Sequence, residues 1–505
     1  MKRQIVGALA ALVSTAAQAA GPAETATTAA IARVEALNPK VNAVIALDPT
    51  ALDQARALDR QRKARGPLFG LPVLIKDNID TKGPLPTTAG SLALKDNVTN
   101  RDAPVVAGLR SQGAVILGKT NLSEWANIRD GTSISGWSGV GGQTRNPFAL
   151  NRGPCGSSSG SGAAVGSGMV TAAIGTETDG SVTCPAAQNG IVGLKPTLGL
   201  VSRTHVVPIS HTQDTPGPMT ADVRTAALLL DAIAGSDPAD PATREADARR
   251  SDYVAALDAG ALKGKRIGVL RWSTGGDAQV AAVFEQALEV LKAQGAVLVD
   301  VEKPKDHEAM GSSELVVLLT DFKVDLADYL ATAAPAVKVK TLADVIAFNK
   351  ANAREMGLFG QSLFDIAETS EGFADPEYIA AKARAQKLAG PEGIDAMLAT
   401  ANAVALVAPT APPAPIIDVV GRNEGGGIGA GNYAAIAGTP HLTVPMGDVK
   451  GLPVGLSFLG PKWSEAQLLA LGYAFEQAAG VKLKPGFPAS IESIAPSAAL
   501  LARPQ

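Results

Sequence analysis

Two short apolar runs bracket a helical pattern, and this arrangement restricts the fold more than any other feature of the chain. The first run, Gly70-Leu-Pro-Val-Leu-Ile-Lys76, follows the Gly66-Pro67 turn signal and ends on a lysine. The second is Ala114-Val-Ile-Leu117, and Pro104 to Gln112 between them has helical spacing. Short apolar runs behind turn signals read as buried strands, and strand-helix-strand alternation predicts an α/β fold with helices packed on a mixed or mainly parallel sheet. The pattern recurs. Thr27 to Leu37, Ala51 to Lys63 and Val280 to Gln294 are periodic as helices, whereas Ala296 to Val299, Ala403 to Val407 and His441 to Pro445 read as strands. With 505 residues, 46% hydrophobic and 18% charged, there is ample material for a core and no compositional case for disorder.

The formal net charge of −3 gives no footprint for a polyanion, and the basic run Arg60-Gln-Arg-Lys63 reads as a solvated helix face. Nucleic acid is therefore excluded as a partner. The first residues have a different character. Lys2 and Arg3, the apolar stretch Ile5 to Val13 and the small-x-small string Ala17-Gln-Ala19 have the layout of a secretory leader. They predict export to the periplasm or beyond, cleavage after Ala19, a single domain over residues 20–505 and no membrane anchor in the mature chain. Cys155 and Cys184 fit no zinc spacing; an oxidising compartment permits a bridge, and small buried thiols are the alternative.

The string Gly113-Ala-Val-Ile-Leu-Gly-Lys-Thr120 satisfies the P-loop formula, but its interior is a strand rather than a phosphate-wrapping loop. We therefore expect no nucleotide there, and no cofactor or metal elsewhere. From Gly131 to Gly180 the chain is rich in Gly and Ser interleaved with apolar runs, as in Ala163-Ala-Val165 and Val170 to Ile174. This describes tight turns around a site rather than a linker. A serine nucleophile needs a neighbouring base. None of the four histidines (205, 211, 307 and 441) sits in a nucleophile-elbow context, and no strand runs into Gly156-Ser-Ser-Ser-Gly160. A lysine serves instead if burial keeps its amine neutral; Lys76 follows Val73-Leu-Ile75 and either projects from a buried strand end or caps an edge strand at the surface, and the Gly/Ser loops downstream favour the first. The glycine-rich run 421–431 is either a surface loop or the rim of a pocket.

Several motifs occur together in one order: Gly70 to Asn78, Gly118-Lys-Thr-Asn121, the loops Pro154 to Ser161 and Gly175 to Ser181, Gly190 to Pro196, Asp214 to Met219, Thr443-Val-Pro-Met446 and Gly451 to Leu456. Together they resemble the amidase signature family over nearly the whole mature chain. The resemblance implies a large mixed central sheet flanked by helices on both faces. It also implies a hydrolase of carboxamides that forms an acyl-enzyme. By position, Ser181 matches the nucleophile, Ser157, 24 residues earlier, the bridging serine after a cis peptide bond, and Lys76 the base. Thr178, Asp179, Gly180 and Ser181 match the loop whose N–H groups hold the oxyanion.

Two departures stand out. Asp179 replaces a glycine in the oxyanion loop, where a carboxylate is unhelpful unless it points away. Thr183 stands where many members have an arginine, so an ion pair with Glu177 is expected to be missing. The string Thr176-Glu-Thr-Asp-Gly-Ser181 with Cys184-Pro-Ala-Ala187 resembles the bacterial peptide amidase branch, as do Ser210 to Met219, Ala347-Phe-Asn349, Gly357 to Gln361 and Leu388 to Asp395. That branch removes the C-terminal carboxamide of peptides and releases ammonia. Asn127 lies where it contributes to the substrate pocket, and a loop-capping role is the alternative. Three other functional readings remain. One is a general aliphatic or aryl amidase. Another is one component of a tRNA-dependent amidotransferase, whose cytoplasmic, partner-bound role an export leader contradicts. The third is a non-catalytic binding protein.

Overall fold

The computed structural model describes residues 20–61, 66–305, 307–420 and 427–494. The leader read at 1–19, the end of the basic run at 62–63 and the glycine-rich residues 421–426 lie outside the described residues.

The apolar runs become strands of one 11-stranded mixed sheet. Pro72–Lys76 pairs in parallel with Val115–Thr120 on one side and with Ala172–Glu177 on the other. Beyond Ala172–Glu177 come Thr215–Thr220, Val192–Lys195, His441–Val449, Leu452–Leu459 and Ala405–Pro409, each antiparallel to the one before. Two parallel strands, Arg266–Val269 and Val297–Asp300, finish that edge. Val44–Leu47 closes the other, antiparallel to Val115–Thr120.

Continuous apolar runs follow from burial on both faces, because successive side chains of a strand point to opposite sides. Val73, Ile75, Ile116, Ala172 and Ile174 pack into one core, against helices Pro104–Ser111, Val223–Ile233, Ala278–Ala293 and Glu465–Ala479. Leu74, Val115, Leu117 and Ala173 pack into the other, against helices Pro22–Val41, Ala51–Asp59 and Ser159–Gly166. The expected α/β architecture with helices on both faces is the observed one.

Most expected elements recur with boundaries moved by a few residues, and one correction has a clear cause. The helix expected to reach Lys63 ends at Asp59. The Asp59 carboxylate accepts the backbone N–H groups of Ala23 and Glu24 at 3.1 and 2.9 Å, capping the helix that starts at Pro22. The strand expected at 114–117 continues through Gly118, Lys119 and Thr120, so the P-loop formula is pleated backbone here. No described helix is long and apolar enough to cross a membrane.

Candidate active site

The C-terminal ends of the parallel strands Pro72–Lys76 and Ala172–Glu177 lie side by side, and the residues singled out above gather there. Lys76 is the last residue of its strand and is fully buried. Its Nζ lies 2.7 Å from Ser157 Oγ, and the amine donates to Thr176 Oγ1 at 2.8 Å and to the Thr176 carbonyl at 3.2 Å. Asn78 donates to the same Thr176 hydroxyl at 3.0 Å. Burial pushes the Lys76 amine down to about 7, against the opposing pull of the Asp214 and Glu177 carboxylates. A value near 7 leaves roughly half of this lysine as a neutral amine with a lone pair at neutral pH.

Ser157 follows a cis peptide bond with Gly156 and is fully buried. A Cβ at 156 would come within 2.2 Å of Ser123 Oγ, so any larger residue there would have to displace that hydroxyl. The Ser157 loop runs into the helix Ser159–Gly166, with no strand before it, as the sequence indicated. The Ser158 N–H donates to the Ser181 carbonyl at 3.1 Å, which locks the two serine loops together. Ser181 itself is 7% exposed. Among the described residues, no protein acceptor takes the backbone N–H of Asp179, Gly180 or Ser181. Free N–H groups converging in one turn form a cradle for a negative oxygen.

Both departures have structural answers. The Glu177 carboxylate accepts the N–H groups of Val182 and Thr183 at 2.7 and 2.8 Å and the Thr183 hydroxyl at 3.1 Å. The missing arginine is thus replaced by a helix start and a hydroxyl. Asp179 lines a cleft, reachable by solvent yet ringed by protein. Its carboxyl is raised by burial and by Glu177, against the pull of Lys195. Because the residue is exposed, water screens the charge that it brings beside an oxyanion.

Asn127 packs against the same loop, its Nδ2 3.2 Å from where a Cβ on Gly156 would stand, and its buried Oδ1 has no protein partner. Trp125, Ala126 and Asn127 have φ values of 50°, 54° and 75°, three left-handed residues in succession. Behind them a fully buried Arg129 pairs with Glu124 and, at 3.4 Å, with Glu355, and its guanidinium lies 4.0 Å over the Phe359 ring. Sequence reading missed this cluster. It also missed Thr178 Oγ1 donating at 2.5 Å to Asp214, whose carboxylate accepts the N–H groups of Ile209 and Ser210 at 2.7 and 2.9 Å. The loop carrying Asp214 is fastened to helix His307–Ala331 by Ser210 and Thr212 hydroxyls on Asp321 and by the His211 N–H on Asp325. His211, Asp321 and Asp325 have the composition of a metal site, but these hydrogen bonds, with the Tyr378 hydroxyl on Asp321, already occupy the carboxylates. None of the four imidazoles is hydrogen-bonded to Ser157 or Ser181: His441 bonds Ser457, His211 bonds Asp325, and His307 bonds Tyr433.

Known proteins resemble this chain over most of its length. The profile of the family described as Amidase matches residues 25–469. The chain belongs to the amidase family. It is an enzyme that hydrolyses carbon–nitrogen bonds of carboxamides. The amidase is similar to the solved peptide amidase of Stenotrophomonas maltophilia, with 49% identity and a TM-score of 0.87 over 92% of this chain and 95% of that one. It is 39% identical to a probable amidase of Arabidopsis thaliana, covering 90% of this chain and 86% of the relative. It is also 37% identical to one subunit of the glutamyl-tRNA(Gln) amidotransferase of Myxococcus xanthus, covering 91% of this chain and 95% of the relative.

Cys155 and Cys184 form a disulfide, which resolves the alternative the sequence left open. In the amidase this bridge ties the segment before Ser157 to the helix after Ser181, closing a loop of 29 residues. Restricting such a loop in the unfolded chain stabilises a fold by about 2–4 kcal/mol. Replacing both cysteines by serine is expected to lower the unfolding free energy by that amount in urea titrations. An unchanged midpoint would show that the two serine loops hold each other without the bridge.

Proposed function

We propose that the enzyme hydrolyses the C-terminal carboxamide of peptides and releases ammonia, acting outside the cytoplasm as a single domain of residues 20–505. The observation that carries the mechanism is the 2.7 Å approach of the Lys76 amine to Ser157, with that amine lowered to about 7. Neutral Lys76 accepts the proton of Ser157 Oγ as Ser157 Oγ accepts that of Ser181. Ser181 Oγ attacks the carboxamide carbon, and the oxyanion settles on the N–H groups of the loop Thr178 to Ser181. One such donor contributes about 3–4 kcal/mol in a transition state. The proton returns through Ser157 to the departing ammonia, and water then hydrolyses the acyl-enzyme by the same relay. Thr176 orients the amine throughout, because its hydroxyl and carbonyl both accept from Nζ.

The peptide-amide reading is supported by the 49% identity to a peptide amidase and by the cleft beside Asp179. A general aliphatic or aryl amidase is the competing reading, and the similarity to a glutamyl-tRNA(Gln) amidotransferase subunit adds an amidotransferase component as another. The deciding experiment measures ammonia from N-acetyl dipeptide amides, free glutamine and short aliphatic amides. Peptide amides are expected to give the highest kcat/KM, and preference for glutamine or the aliphatic amides would sink the reading.

A base that works only when neutral fixes the sign of the pH dependence. With the folded-state value near 7, kcat/KM is expected to fall as the pH drops below about 7 and to level off above it. A profile flat from pH 5 to 9 (values set by the roughly one-unit breadth of such titrations) would exclude Lys76 as the base.

A further inference from the structure

A cavity of about 300 Å³ opens beside the nucleophile loop, walled by Asp179, Gly180, Thr410, Gly431, Asn432 and His441. His441 is 1% exposed, and its Nδ1 is buried with no protein partner. That atom faces the cavity wall: a Cβ built on Gly431 would stand 3.0 Å from His441 Cε1 and 3.2 Å from Nδ1. The other ring nitrogen fixes the tautomer. Ser457 Oγ donates to Thr410 Oγ1 at 2.9 Å, so its proton is committed. With the Ser457 proton on Thr410, Nε2, 2.7 Å from Ser457 Oγ, is the donor and Nδ1 carries the lone pair. Burial and the nearby Lys195 keep the ring neutral. Lys195 stands opposite His441 across the strand register, so a second cation at Nδ1 is disfavoured. A buried acceptor without a donor is costly unless something binds there.

We propose that this cavity is a subsite for a neutral N–H donor of the substrate, with His441 Nδ1 as the acceptor, so that peptide amides whose terminal residue ends in a side-chain carboxamide are selected over apolar isosteres. This rests on the peptide-amide reading above. A site built to hydrogen-bond one substrate group rejects an analogue lacking it far more strongly than an apolar pocket rejects a missing methylene.

The test compares kcat/KM for N-acetyl-Ala-Gln-NH2 and N-acetyl-Ala-Met-NH2, with terminal-amide loss followed by mass spectrometry. His441→Phe removes the acceptor, and its Gln/Met ratio is expected to fall at least about tenfold. Gly431→Ala leaves the central strand untouched but puts a methyl group over Nδ1, and the same fall is expected. It decides the matter if His441→Phe does not fold. A ratio within about twofold of the parent in a folded variant, against the tenfold expected, overturns the subsite alone. Hydrolysis of simple amides but of neither peptide amide overturns the substrate reading, and the subsite with it.

Discussion

Lys76→Ala is expected to lower kcat/KM by about three orders of magnitude or more, and Ser181→Ala to abolish turnover. General-base assistance contributes about 10²–10⁴ in rate, and the base here also holds Ser157 in place. With Lys76 gone, Ser157 Oγ loses its partner at 2.7 Å and has no imidazole to replace it. Folding is not expected to suffer in the same proportion. The amine is depressed from 10.5 to about 7, so between those values the unfolded chain holds a proton that the folded chain has released. Stability from this group therefore rises with pH across that window, and its penalty is full below about 7. Lys76→Met, which keeps the volume and drops the buried amine, is expected to unfold at a denaturant concentration no lower than the parent at pH 7. Steady-state kinetics and urea titration of both variants separate the two effects. An inactive variant that is also unfolded would leave the relay without support, and near-full activity in Lys76→Ala would refute it.

Arg129→Met is expected to cost about 3–5 kcal/mol of stability, because removing one member of a buried ion cluster leaves the others unpaired. Glu124 and Glu355 have no access to water, and Glu124 is already pushed well up by burial and by Glu355, with Arg129 opposing. The guanidinium also donates to the Gly360 carbonyl at 3.1 Å, and Glu124 accepts the Gly139 N–H at 2.7 Å. The cluster thus ties three loops to one another. Adding Glu124→Gln and Glu355→Gln to Arg129→Met is expected to recover part of the loss, since the stranded charges are then gone. A loss no larger than the ~1 kcal/mol of an exposed pair would show that solvent reaches the cluster.

The parts of the site that the sequence exposed are those with a local signature. Lys76 closes the contiguous apolar run Val73-Leu74-Ile75, which alone fits a surface lysine capping an edge strand as well, and the Gly/Ser loops downstream are what favour the buried position. The pairing of Ser157 with Ser181 came from family resemblance, because contact between two loops across the end of a sheet leaves no mark in spacing. Arg129 and its carboxylates were invisible for a different reason. Glu124 and Arg129 look like surface charges, and Glu355 is 226 residues beyond Arg129. The left-handed turn Trp125 to Asn127 contains no glycine, so nothing in its composition announces positive φ. The helix His307–Ala331 buries Glu314 and Asp321 along with its apolar residues, and a helix enclosed on several sides lacks the amphipathic stripe by which helices are read.

Exposure falls steeply along the proposed relay, from 7% at Ser181 to none at Ser157 and Lys76. For covalent inhibitor chemistry this gradient acts as a filter. An acylating or phosphonylating electrophile arriving from solvent meets one hydroxyl first, while the lysine, the strongest free nucleophile of the three once neutral, is shielded by the serines in front of it. A basic amine can thus be kept unprotonated in an enzyme that handles acyl groups without becoming their permanent acceptor.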